Sequence, residues 1–245
     1  MKRCKTLIAG LGLAAGIAGL GGSAHAGDVD VALDFTYASG YYWRGADAGG
    51  GRNGFVQPSL DVSYPVSDGA VGVNIWYSAG PEDDATDNSE IDYTVYGSYT
   101  VSDVAISAGV IDYVIPVGAA FADGHVLEAN AGVDVGALID PDLSLGIAVY
   151  MNLDGDGDEN ALYINPSVGY SLGHLGVGLS LGMASDSDYY GIDGSGLVDI
   201  TPSVSFDIPA GDEASASVGL AIGYNPETNL TVPFFSIGSS YNWNP

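Results

Sequence analysis

From about residue 29 onward the chain alternates apolar and polar residues with a period of two, and no window keeps a 3.6-residue apolar period for three turns. The pattern predicts an all-β protein. The first segment, Val29 to Tyr37, places Val29, Val31, Leu33, Phe35 and Tyr37 on one face and Asp30, Ala32, Asp34 and Thr36 on the other. The same reading gives twelve strands of about ten residues, the length at which a tilted strand crosses a bilayer. Their apolar faces carry Val, Leu, Ile and Tyr, and their opposite faces Gly, Ser, Asn, Thr and Asp.

The connections sort by length. Ser39 to Asn53, Gly80 to Glu90, Ile115 to His125, Asp154 to Asn160, Ser185 to Gly196 and Asn225 to Asn229 read as long, acidic loops. Between them fall the shorter Pro65 to Gly69, Ser102-Asp103, Ala137 to Asp142, Gly173-His174 and Pro209 to Glu213. An even strand count with long loops at one end and short turns at the other is the layout of a transmembrane up-and-down antiparallel β-barrel. A soluble β-sandwich is the competing class, but it has no reason to sort its loops this way. Tyr37, Tyr77, Tyr93 and Tyr224 near the loops, and Tyr64, Tyr99, Tyr170 and Tyr241 near the turns, fit two interfacial girdles. Pro58, Pro166 and Pro202 each remove a ladder donor, so they are expected near strand ends or bulges.

The first 26 residues read as a cleaved secretory leader. Lys2, Arg3 and Lys5 form a basic start, Thr6 to Gly22 an apolar stretch, and Ala24-His25-Ala26 a small-x-small cleavage site. The single cysteine, Cys4, lies in that leader, so residues 27–245 form one barrel domain without a disulfide or a thiol. This organisation predicts export across the inner membrane to the outer membrane of a Gram-negative cell.

Charge then sharpens the picture. The chain holds 31 Asp and Glu against 5 Lys and Arg, a formal charge of −26, and is 47% hydrophobic. Loss of the leader leaves Arg44 and Arg52 as the only arginines, with no lysine. Binding to the phosphates of nucleic acid is excluded on this balance. If the polar face lines the interior, Asp30, Asp34, Asp61, Asp92, Glu128, Asp134 and Asp199 face a lumen that attracts cations and repels anions. Arg44 and Arg52 share the first long segment. An inward Arg44 pairs with a lumenal carboxylate, either as a constriction element or as a clamp that pins the first loop.

Asp154-Gly155-Asp156-Gly157-Asp158 begins like a Ca²⁺ loop, with oxygens at alternate positions. Glu159 stands where that loop needs glycine, and the twelfth position is Asn165 instead of a bidentate Glu, so a solvated acidic loop is the competing reading. No other cofactor is expected. Catalysis is not expected either: His125 reads as a loop residue and His174 as a turn residue, and no serine is marked as a nucleophile.

Ala38-Ser39-Gly40-Tyr41-Tyr42-Trp43-Arg44-Gly45, followed by Phe55-Val56-Gln57-Pro58-Ser59, resembles a segment of the TorF family of porins. Glu90-Ile91-Asp92-Tyr93 and Gly109-Val110-Ile111-Asp112-Tyr113-Val114-Ile115-Pro116 are similar to that family's Glu-x-Asp strand and its Gly-x-x-x-Tyr-x-x-Pro strand ending. The likeness covers about residues 33 to 116 and is weaker through Tyr150 to Tyr170. It implies an outer-membrane barrel with a pore role and no known substrate. Two functions follow as expectations: passive, cation-preferring diffusion of small solutes, or a non-conducting barrel whose acidic loops bind divalent cations or a surface partner.

Overall fold

The computed structural model describes residues 29–81, 89–114, 125–155, 160–185 and 187–243. Its fourteen strands are β1 (Asp30–Ala38), β2 (Tyr42–Trp43), β3 (Ala46–Asp47), β4 (Phe55–Val66), β5 (Gly69–Ser78), β6 (Glu90–Val101), β7 (Val104–Val114), β8 (His125–Asp134), β9 (Leu143–Gly155), β10 (Leu162–Leu172), β11 (Leu175–Ala184), β12 (Gly196–Pro209), β13 (Ala214–Asn225) and β14 (Leu230–Trp243). Twelve of them form one closed antiparallel barrel, each strand pairing with its sequence neighbours, and β1 closes it against β14. Strands β2 and β3 stand apart as a small hairpin.

Closure removes every unpaired edge, the condition for a sheet in an apolar medium. The predicted alternation becomes an inside and an outside. Leu33, Val73, Val95, Ile147, Leu179, Leu220 and Ile237 are exposed on the outer surface, where a soluble protein would bury them. Tyr37, Tyr77 and Tyr93 are exposed near the loop end, and Tyr64, Tyr99 and Tyr241 near the turn end. The inner face of the turn-side half is lined by small or polar residues such as Ser59, Gly72, Asn130, Gly178 and Ser217.

Three expectations are corrected. The prolines sit inside strands, away from the ends. Each interrupts one ladder and leaves the other intact. The β4–β5 ladder skips from Val56↔Ala79 to Ser59↔Trp76 at Pro58, β10–β11 from Ile164↔Met183 to Ser167↔Ser180 at Pro166, and β12–β13 from Ile200↔Tyr224 to Ser203↔Ala221 at Pro202. A polar residue precedes each proline. At the second gap Asn165 Nδ2 donates to the Leu181 carbonyl at 2.5 Å, supplying the donor that proline lacks. The Asn225 to Asn229 connection is a tight turn instead of a long loop, because Asn225 Oδ1 accepts from the amides of Glu227 (2.9 Å) and Thr228 (3.3 Å). His125 opens β8 and pairs with Val114, so it is a strand residue.

Candidate functional site: an inward hairpin clamped to the barrel wall

The first long connection does not stay outside the barrel. Its β2–β3 hairpin pairs Tyr42 with Asp47 and Trp43 with Ala46, leaving Arg44 and Gly45 as a two-residue turn. Their φ angles of 45° and 92° are those of a type I′ turn, which needs positive φ at both central positions. Arg44 tolerates that conformation because the surrounding contacts hold it there. Gly45 is required twice over. A side chain at its Cα would run into the carbonyl of Val198 on β12, and its own carbonyl accepts from Asn225 Nδ2 at 2.9 Å.

Three side chains of the hairpin each seize a carboxylate from a different wall strand. Tyr41 donates to Glu90 Oε2 of β6 at 2.6 Å, and Tyr42 to Asp199 Oδ1 of β12 at 3.2 Å. Arg44 forms a bidentate pair with Glu128 of β8, Nη1 to Oε2 at 2.5 Å and Nη2 to Oε1 at 2.9 Å. The side chains of that pair are 3% and 0% exposed. Burial, the largest influence on Arg44, favours loss of its proton, but Tyr113 and Glu128 more than offset it and hold the guanidinium above its ordinary value. Burial first, and Glu90 or Asp199 next, push the hydroxyls of Tyr41 and Tyr42 up, so both remain donors.

Aromatic rings complete the enclosure. The Arg44 guanidinium carbon lies 4.1 Å from the ring centre of Tyr150, 4.7 Å from that of Trp43 and 4.8 Å from that of Tyr163. Such faces attract a cation by about 0.5–2 kcal/mol each when desolvated. Tyr113 donates to Glu128 Oε1 at 3.0 Å, and the Tyr190 hydroxyl meets Arg44 Nη1 at 3.3 Å. Tyr189 and Tyr190, in a short 3-10 turn (Asp188–Tyr190) of the β11–β12 connection, pack on Trp43 with ring centres 5.8 and 6.4 Å apart. Tyr41 packs on Phe55 and Trp76, and Tyr42 on Phe234. Two connections thus fold inward and meet over a strand-built aromatic wall.

Two bulges aim the wall carboxylates. The β8–β9 register shifts beside Glu128, and the β11–β12 register shifts beside Asp199. Asp199 also accepts from Tyr163 at 2.9 Å and from Thr201 at 2.6 Å, so hydroxyls surround it. Asn152, 1% exposed, stands opposite Glu128 in the ladder with neither side-chain polar atom partnered, and Asp92 Oδ1 and Thr94 Oγ1 are likewise unpartnered.

The structure gathers Arg44, Glu128, Asp92 and Asp199 within the buried loop-side half of the barrel. Asp34 accepts from Ser59 at 3.4 Å and Asp61 from Tyr96 at 2.9 and 3.0 Å, nearer the turn end. Asp134 braces the β8–β9 turn by accepting from the Gly136 amide at 2.8 Å and from the Ser144 hydroxyl. Arg52 is partly exposed beyond the hairpin and donates its backbone amide to Gly49 at 3.1 Å. Asp154 is exposed at the end of β9 and accepts from the Gly155 amide at 2.8 Å, whereas Asp156 and Asp158 lie outside the described residues. Among the described residues no group of three His, Cys, Asp or Glu could hold a metal ion. His125 meets Asp112 at 2.9 Å, and both side chains are well exposed at the loop end of β7 and β8.

Tyr163 and Tyr190 were not among the residues singled out from sequence, and Glu90, Tyr113 and Tyr150 entered only within the family-like segments, without a site role. The available signal was Tyr150 and Tyr163, large aromatics on faces otherwise made of small or polar residues such as Ser144, Gly146, Ser167 and Gly169.

No protein-family model and no curated protein sequence matches the chain. Solved structures do. The NanC porin covers 86% of this chain and 98% of its own at 13% identity, with a TM-score of 0.55. A KdgM porin in complex with disordered oligogalacturonate gives 12% identity over 86% of this chain and 98% of that one, with a TM-score of 0.51. The likeness is one of fold: a closed twelve-stranded barrel.

Proposed function

We propose that the chain is a porin-like channel of a Gram-negative outer membrane, through which small solutes diffuse passively with a preference for cations. The observation that carries this reading is the two-faced closed barrel: exposed aliphatic residues outside, and Asp34, Asp61, Asp92, Glu128, Asp134 and Asp199 within. The fold shared with NanC and KdgM supports it. Oligogalacturonate, present with KdgM, is a polyanion, and the acidic interior here repels such a solute. Arg44 and Glu128 neutralise one another, so the remaining carboxylates set the sign of the field. The role is non-catalytic, with lipid outside and solute or cation inside as the partners. The likeness to the TorF family belongs to this same reading.

A second reading rests on the clamp itself. With Tyr41, Tyr42 and Arg44 all buried against the wall, the hairpin acts as a plug, and the barrel then serves through its acidic loops, by holding divalent cations or a surface partner. Planar-bilayer recording of the refolded protein across a salt gradient separates the two. Current steps with a cation-selective reversal potential support the channel; silence despite verified insertion favours the plugged barrel.

A further inference from the structure

The chemistry around Arg44 is that of a receptor for a small cation. One carboxylate grips both terminal nitrogens of the guanidinium at 2.5 and 2.9 Å, and ring faces lie 4.1 and 4.8 Å from the guanidinium carbon. Apart from Trp43 and Tyr190, every group of that receptor is on the wall: Tyr113 on β7, Glu128 on β8, Tyr150 on β9 and Tyr163 on β10. Its occupant comes from a loop. The wall also holds polar capacity that Arg44 leaves unused, since Asn152, opposite Glu128 and almost fully buried, has both side-chain polar atoms unpartnered. A structural ion pair alone has no need of unpaired amide groups beside it, because a buried polar group without a partner is destabilising.

We infer that the wall formed by Tyr113, Glu128, Asn152, Tyr150 and Tyr163 is a binding site for small guanidinium-bearing solutes, and that Arg44 occupies it as an internal surrogate. The inference rests on the channel reading for its substrate class, because a cation-attracting lumen delivers such solutes to the wall. Arg44 is tethered to the wall through the hairpin, at an effective concentration on the order of millimolar or higher, so a free solute competes poorly while the hairpin is seated. A solute that does compete displaces the hairpin tip, which couples occupancy to opening.

The test uses the refolded full barrel in detergent and methylguanidinium at low millimolar concentration, below any denaturing range. The readout is the unfolding midpoint, followed by the mobility difference between folded and heated protein. Arg44→Ala is expected to gain midpoint with added methylguanidinium, with methylammonium less effective because it lacks the planar fork that makes two parallel bonds to Glu128. Arg44→Ala/Glu128→Gln is expected to gain nothing. Equal responses in the single and double variants overturn the inference, as does an equal response to sodium chloride. If Arg44→Ala does not reach the folded form, its folded yield on refolding with methylguanidinium is the readout: recovery supports the site and no recovery overturns it. Since this readout needs no current, a silent bilayer defeats the channel while a positive shift still establishes the site, and the reverse result does the opposite.

Discussion

Tyr42 reaches across 157 residues of chain to place its hydroxyl 3.2 Å from Asp199 Oδ1, and through that bond a loop residue is tied to the loop-side half of the barrel wall. Tyr163 and Thr201 meet the same carboxylate, so Asp199 is held by three neutral donors without a cation. Removing the carboxylate therefore takes the shared acceptor from three hydroxyls at once, whereas removing one hydroxyl leaves two donors in place. Asp199→Ala is expected to lower stability by about 2–4 kcal/mol and Tyr42→Phe by only about 1 kcal/mol. Urea unfolding in detergent micelles measures both, and equal costs would contradict the network.

The tip of the hairpin gives a sharper test of the plug. Gly45 carries a φ of 92°, and a side chain there meets the Val198 carbonyl. Gly45→Ala therefore combines backbone strain of about 1–3 kcal/mol with a clash against the wall. The hairpin is expected to unseat while the twelve-stranded ladder persists. Single-channel conductance of Gly45→Ala should exceed that of the parent chain with the heat-modifiable band retained; unchanged conductance in a folded variant would mean that the hairpin does not narrow the lumen.

Much of this architecture was legible before the structure, for a local reason. A period of two is written by the pleat itself, so Leu33, Val73 and Ile147 declare their face regardless of what the rest of the chain does. Turn chemistry is equally local. The pairing of Arg44 with a wall carboxylate also followed from scarcity, since two arginines face 31 acidic residues. The inward hairpin was not legible. Its strands are two residues long, too short for any period, and its direction is set by partners as distant as Glu90, Glu128 and Asp199. The positions of Pro58, Pro166 and Pro202 were misjudged because a barrel strand has two neighbours. Proline sacrifices only the donor on one side, and a preceding polar side chain can stand in for it.

That substitution of side chain for backbone can be tested at Pro166. Asn165 Nδ2 donates to both Ser180 Oγ at 2.7 Å and Leu181 O at 2.5 Å. Asn165→Ala leaves the Leu181 carbonyl without its donor, and a loss of about 1–3 kcal/mol is expected. Asn165→Ala/Pro166→Ala restores a backbone amide opposite that carbonyl and should recover part of the loss. Unfolding midpoints of the two variants measure the difference, and a double variant less stable than Asn165→Ala would count against this account of the gap.

On the proposed channel reading, selectivity is expected to be decided below the clamp. Both oxygens of Asp61 share the one Tyr96 hydroxyl and Asp34 accepts from Ser59, so neutral hydroxyls orient these carboxylates without cancelling their charge. Arg44 is committed to Glu128. A unit charge about 4 Å from a passing ion in water is worth roughly 1 kcal/mol of attraction for a cation and as much repulsion for an anion, or about a thirtyfold difference between the two. Asp34→Asn/Asp61→Asn keeps side-chain shape while removing two charges, so the cation-to-anion permeability ratio should fall severalfold and the reversal potential under a salt gradient should move toward zero. Tyr96→Phe, which removes the hydroxyl and leaves both charges, should retain the sign of the preference. A double variant with undiminished cation selectivity would place the controlling charges elsewhere, with Asp92 beside the clamp the next to replace.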